Sequence, residues 1–256
     1  MGSRAAETMI SEGSQQVDSM NGSALFEKSL IAGVGLTHLR VYDQRPGPDG
    51  VQSGCAHVHG VTEEAYFGLA GEGCLELHDL EHGFRSVPLR KGTYVQFPPD
   101  TLHRSVSLDG LEVLAIMGGA GLAERGDARI YFGAQVDEDP DEYERLRGMV
   151  DAGLDGALRR RDASVQAYRA LMNLWHRDTD AYRAELRRFV EVHRRMLAGM
   201  RDELREVAKG ASLRVARQAL ARVDALPGGA GGAAIAAASR EYGDVRLGMC
   251  GFLRQV

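Results

Sequence analysis

Residues 54–71 read GCAHVHGVTEEAYFGLAG. His57 and His59 stand two apart, and on a strand that spacing turns both imidazoles to one side. Glu64 opens the next strand-like run. His103 enters a further one after the turn Pro98-Pro99-Asp100-Thr101. Three neutral imidazoles and one carboxylate suit a borderline divalent ion such as Fe²⁺, Mn²⁺, Ni²⁺, Zn²⁺ or Cu²⁺. Four protein donors leave room on a five- or six-coordinate metal for water, dioxygen or a chelating substrate.

Outward from this stretch, residues 36–136 break into short runs of strand character: 36–43, 54–60, 63–71, 74–80, 84–90, 93–99, 102–108, 111–117 and 129–136. Turn chemistry separates them, at Pro46-Gly47-Pro48-Asp49-Gly50, Gly71-Glu72-Gly73, Lys91-Gly92 and Asp109-Gly110. Many short strands at this spacing predict an all-β barrel or sandwich. From Asp137 the period becomes helical. Pro140 marks a helix start, and Ser164 is placed to cap the run 165–177. One long helix is expected over 179–209, with Tyr182, Leu186, Phe189, His193, Met196, Met200, Leu204 and Val207 on its apolar stripe. A third amphipathic stretch covers 212–226. Residues 227–239, PGGAGGAAIAAAS, read as loose, and the tail GDVRLGMCGFLRQV reads as strand.

The two histidine stretches together resemble the cupin superfamily. The first cupin motif pairs H-x-H with a glutamate and then a glycine, and His57, His59, Glu64 and Gly71 match it. The second asks for a glycine, a proline and a histidine, and Gly92, Pro98 and His103 fall at its spacings. Asp100 stands where that motif has glycine, and Ser107 where it has asparagine. The resemblance, which covers roughly 36–136, implies a double-stranded β-helix (cupin) barrel; with the helical periodicity beyond it, an α+β chain is expected, the barrel followed by a C-terminal helical extension. The expected division is a disordered leader at 1–22, the barrel at 23–137 and the helical extension at 138–256. It also implies one divalent metal on His57, His59, Glu64 and His103, with Fe²⁺ favoured, and a homodimer.

The remaining candidates are weighed against plainer roles. Alternation sets Cys55 on the side of His57, as a metal-side thiol or a small buried hydrophobe. Tyr66 shares a side with Glu64 and, with Gln96, is a candidate substrate contact. His38, His78 and His82 read as surface or strand histidines, and His193 as a satisfied core or interface histidine. Arg187-Arg188 and Arg194-Arg195 read as solvated faces or ion pairs.

Charge narrows the partners. Residues 1–150 carry 12 Lys+Arg against 23 Asp+Glu, a net of −11; residues 151–225 carry 16 against 11, a net of +5. The basic residues are interleaved with acids along helices, which argues against a nucleic-acid surface. No stretch has the roughly 18 uncharged apolar residues of a membrane span. Three irregularly spaced cysteines (Cys55, Cys74, Cys250) make no disulfide framework. With no signal-like leader, a cytoplasmic address is expected. The favoured function is a metal-dependent enzyme on a small molecule, an Fe(II)-type (di)oxygenase. The alternatives are an isomerase, lyase or cyclase on a sugar or polyketide-like compound, and a binding or regulatory protein.

Overall fold

The computed structural model describes residues 33–228 and 241–256. The leader expected at 1–22 and most of the loose Gly/Ala-rich stretch lie outside the described residues. Among the described residues the β part comes first: β1 (Gly35–Val41), β2 (Gln52–Ser53), β3 (His57–His59), β4 (Glu64–Asp79), β5 (Gly83–Arg90), β6 (Tyr94–Phe97), β7 (Leu102–Met117) and β8 (Ala128–Ile130). Helices follow: α1 (Ala134–Asp137), α2 (Pro140–Arg147), α3 (Gly153–Arg177), α4 (Thr179–Gly199), α5 (Arg201–Ala208) and α6 (Arg214–Ala225). The chain closes with β9 (Arg246–Leu247) and β10 (Gly251–Gln255). All strand pairs are antiparallel, and β7 is the hub, bonded to β1, β2, β3 and β4. Strands first and helices after give the α+β barrel-plus-helices architecture that the sequence implies.

Several elements differ from the sequence expectation. The runs 63–71 and 74–80 are one strand, β4, and 102–108 and 111–117 are likewise one strand, β7. Gly71 and Gly110, at φ 67 and 54, do not end these strands. The β4–β7 register shifts near Gly71, so the glycine-rich sites act as bulges within continuing ladders. At Gly71 an added Cβ would lie 2.2 Å from the carbonyl oxygen of Asp109, so only glycine fits. The run 129–136 keeps strand form only to Ile130, then turns into α1.

Ser164 caps nothing. The helix runs through it, and its Oγ accepts from the Ala56 backbone N–H at 3.1 Å, an anchor to the barrel. The helix expected over 179–209 breaks at Met200 into α4 and α5. The last residues of the expected helical region are strand. Strand β10 pairs with β1, Leu39 facing Leu253, and returns the tail to the barrel.

The expected apolar stripe packs on the barrel. Ala56, Val58, Leu102 and Tyr131 meet Tyr168, Leu171, Tyr182, Leu186 and Phe189 in one buried cluster. Each such side chain contributes about 1.5–3 kcal/mol on leaving water, enough to hold α3 and α4 down without special bonds. Polar ties add specificity. Arg104 is fully buried, paired with Asp49 and Glu76, and lies over the Tyr168 ring at 4.5 Å. His78 is not a surface histidine. It is wholly buried, with Nδ1 2.9 Å from the Tyr182 hydroxyl and Nε2 2.7 Å from that of Tyr168. Burial pushes its pKa down to about 3, so it stays neutral. His38, in contrast, lies near the surface against Glu112, and His82 is exposed.

Candidate metal centre

Short β3 sets the site. His57 stands opposite His103 of β7, so the cross-strand register brings two imidazoles together, ring centroids 4.0 Å apart. Strand alternation keeps His59 on the same side as His57, at 5.4 Å. Glu64, the first residue of β4, completes the group. The four residues are between 0 and 4% exposed. One ligand atom from each lies within 4.8 Å of the others.

The hydrogen bonds decide which nitrogens are free. His57 Nδ1 donates to the Cys55 carbonyl at 3.2 Å, and His103 Nδ1 to the Thr101 carbonyl at 3.1 Å. A carbonyl only accepts, so the proton sits on Nδ1 and the Nε2 lone pair is left bare. His59 Nδ1 faces the Asp127 carboxylate at 3.4 Å, which selects the same tautomer. Holding the far ring nitrogen on a carbonyl or carboxylate is how proteins aim a ligating histidine.

The carboxylate oxygen Oε2 of Glu64 lies 3.2 Å from His103 Nε2 and 3.5 Å from His59 Nε2. His103 Nε2 and Glu64 Oε2 are buried and hydrogen-bonded to nothing. Two acceptors thus face each other with no proton between them, an arrangement that a shared cation resolves. Donors bound to one metal at about 2.0–2.2 Å sit roughly 3.0–3.5 Å apart at angles near 90–110°. The residues fit a single divalent ion.

Burial, with the neighbouring His103 and His59 rings, lowers the His57 pKa well below the usual range, keeping it neutral as a ligand must be. Burial also opposes charge on His59, but the Asp127 carboxylate that its Nδ1 faces and the Glu64 charge outweigh it and raise its pKa. Burial opposes charge on Glu64 too, but the facing His103 and His59 rings outweigh it and its pKa is lowered.

Sequence reasoning missed Asp127 and Cys250. Asp127 lies in the loop before β8, fully buried. Its Oδ1 accepts from the backbone N–H of Gly60 (3.1 Å) and Val61 (2.7 Å), and its Oδ2 from that of Thr62 (3.1 Å). It therefore clamps the loop leaving β3 while facing His59. His193 of α4 donates from Nε2 to the Asp127 carbonyl at 2.7 Å, so it is buried between α4 and the barrel as the sequence suggests, but only half satisfied, its Nδ1 having no partner. A lone aspartate far along the chain carries no sequence signal for this role. Cys250 reaches the site because β10 folds back: its Sγ lies 3.6 Å from His57 Nε2 and 3.9 Å from the Tyr66 hydroxyl. Cys55 packs away from the cluster, among Ile130, Phe132, Tyr143 and Leu146.

Of the two expected substrate contacts, Tyr66 is buried beside the group, its ring 6.4 Å from that of His103. Gln96 is a correction. It is exposed, hydrogen-bonded to Glu63 and Tyr94 on the outer face, because alternation along β6 turns Phe97 inward and Gln96 out. Arg194 pairs with Asp100 at the surface.

The barrel is similar to cupins. Solved structures that it resembles include a cupin protein from Bacteroides fragilis, 22% identical over 35% of this chain and 68% of that one, with a TM-score of 0.26. Others are TDP-fucose-3,4-ketoisomerase from Campylobacter jejuni (12% identical, 32% of this chain and 58% of that one, TM-score 0.27) and an oxalate oxidase (17%, 33% and 40%, TM-score 0.27). No family model and no curated protein matches the sequence. The chain spans about half to two-thirds of the length of the first solved chains that it resembles, and these cupin-like matches carry nothing about its activity.

Proposed function

We propose that the chain is a metal-dependent enzyme acting on a small molecule, with an Fe(II)-type (di)oxygenase as the favoured chemistry. The observation that carries the metal reading is the pair of buried, facing acceptors, Glu64 Oε2 and His103 Nε2, with His59 Nε2 beside them. A bound Fe²⁺ would supply a redox-active centre able to hold substrate and dioxygen side by side. The chain's own part is to aim the three imidazoles through Cys55, Thr101 and Asp127 and to exclude bulk water by burial.

Around the donors the barrel interior is largely apolar: Leu39, Val41, Leu75, Leu77, Phe97, Leu111 and Val113 form the cluster that Tyr66 and Cys250 join. That lining suits an apolar small molecule and dioxygen, with the Tyr66 hydroxyl and Ser105 beside it for a polar group on the substrate. A surface cleft of about 420 Å³, lined by Gly60, Val61, Leu197 and Leu204 with Arg194, Arg201 and Arg205, begins one residue beyond His59 and is the proposed route inward. The proposal includes a cytoplasmic homodimer. Among the described residues the three cysteines are unpaired, in keeping with a reducing compartment, and no helix is long and apolar enough to cross a membrane.

The test is anaerobic loading with Fe²⁺, followed by a small-molecule panel screened by thermal shift and then by oxygen uptake. Oxygen consumption that is lost in Glu64→Ala supports the reading. Turnover without oxygen and with redox-inert Zn²⁺ replaces it with the isomerase reading. Stabilisation by a ligand with no product under either atmosphere replaces it with the binding-protein reading.

A further inference from the structure

We propose that the cleft between α2 and α4 is a binding site for a small organic monocarboxylate, separate from the metal centre. The cleft has a volume of about 650 Å³ and shares no residue with the group His57, His59, Glu64 and His103. Its acids are held by arginines outside its lining. Asp137 and Glu138 pair with Arg188 at 3.0 and 3.5 Å, and Glu144 accepts from Arg147 at 2.8 Å. Its own two arginines are unpaired: among the described residues, neither Arg129 nor Arg195 has a carboxylate within ion-pair reach.

Arg129 is the more constrained of the two. It lines the cleft from β8, opposite Val58 of β3, yet is only 5% exposed. Of its N–H donors, one Nη bonds the Asp137 carbonyl at 2.7 Å, the other reaches only the Met196 sulfur at 3.6 Å, and Nε has no partner. The Tyr143 ring covers one face of the guanidinium at 3.7 Å. A buried cation with no carboxylate of its own and donors to spare is costly to keep. A carboxylate from outside matches the guanidinium fork with two acceptor oxygens, and Arg195 stands on the same cleft to share it. Because Arg188 serves Asp137 and Glu138 together, the neighbourhood as a whole is not basic. That balance suits a monoanion and disfavours a dianion such as phosphate. Pro140, Val192 and Met196 supply apolar walls for the body of an organic acid.

The experiment is calorimetric titration of the full chain at neutral pH with sodium benzoate, its uncharged isostere benzamide, and inorganic phosphate. Benzoate should bind one per chain and more tightly than either of the others. Arg195→Gln, an exposed change, should weaken benzoate about tenfold, the low end for a charge-assisted hydrogen bond. Arg129→Lys, which keeps the charge but loses the fork, should weaken it as well. Arg183→Gln, on α4 but outside the cleft, should leave benzoate affinity as it is. The proposal is overturned by absent benzoate binding, by benzamide or phosphate binding at least as tightly, or by an equal loss in Arg183→Gln. Benzoate affinity unchanged by Arg195→Gln overturns it too, so the question is decided even if Arg129→Lys does not fold. None of these outcomes bears on the metal centre, whose donors lie outside the cleft.

Discussion

Replacing Asp127 by asparagine separates a loop clamp from a residue that aims a ligand. The carboxylate divides its work, with Oδ1 on the Gly60 and Val61 N–H groups and Oδ2 on that of Thr62 while facing His59 Nδ1. An amide has one acceptor and one donor, so its NH₂ must face one of these two sets of donors. At least one hydrogen bond to a charged acceptor is lost, worth about 1.5–3 kcal/mol. The metal-free variant should lose about that much stability in urea unfolding. Without the carboxylate across from Nδ1, the His59 tautomer is no longer imposed. Metal affinity should fall about 10–100-fold, the usual cost of removing such an orienting partner. Chelator competition measures that fall. An Asp127→Asn protein that loses stability yet holds metal within about twofold of wild type would refute the orienting role and leave only the clamp.

Three further outcomes are expected. The His59→Ala/His103→Ala pair should abolish stoichiometric metal, measured by elemental analysis, while circular dichroism still reports a folded barrel; full occupancy would remove both residues from the ligand set. Burial holds the His193 pKa down at about 4, below its unfolded value of 6.5. Its share of stability, about 3 kcal/mol, is therefore fully present above pH 6.5 and lost as pH falls through 4. His78 acts in the same direction, and denaturation midpoints unchanged between pH 7 and pH 4 would contradict both. Phe189, fully buried with its ring 5.0 Å from that of Tyr131, should cost about 3–5 kcal/mol when cut to alanine. A loss under 1 kcal/mol in calorimetry would mean that α4 does not depend on the barrel.

The sequence by itself determined the four candidate ligands and the architecture around them. Those signals are local: two-residue alternation puts His57 and His59 on one side, and the 3–4 spacing of Tyr182, Leu186 and Phe189 makes one helix face. Strand ends at Gly71 and Gly110 were misread because a glycine at positive φ serves a turn or a bulge equally well. Only the pairing partner β7 makes the bulge. His78 looked exposed because its burial depends on Tyr168 and Tyr182, about ninety and a hundred residues further along the chain. Gln96 turned outward because the register of β6 on β4 sets Phe97 inward. Asp127 and Cys250 lie, respectively, 68 residues beyond His59 and 193 beyond His57. No period or spacing connects such positions. Long-range antiparallel pairing, β8 on β3 and β10 on β1, brings them to the ligands, and that proximity exists only once the chain has folded.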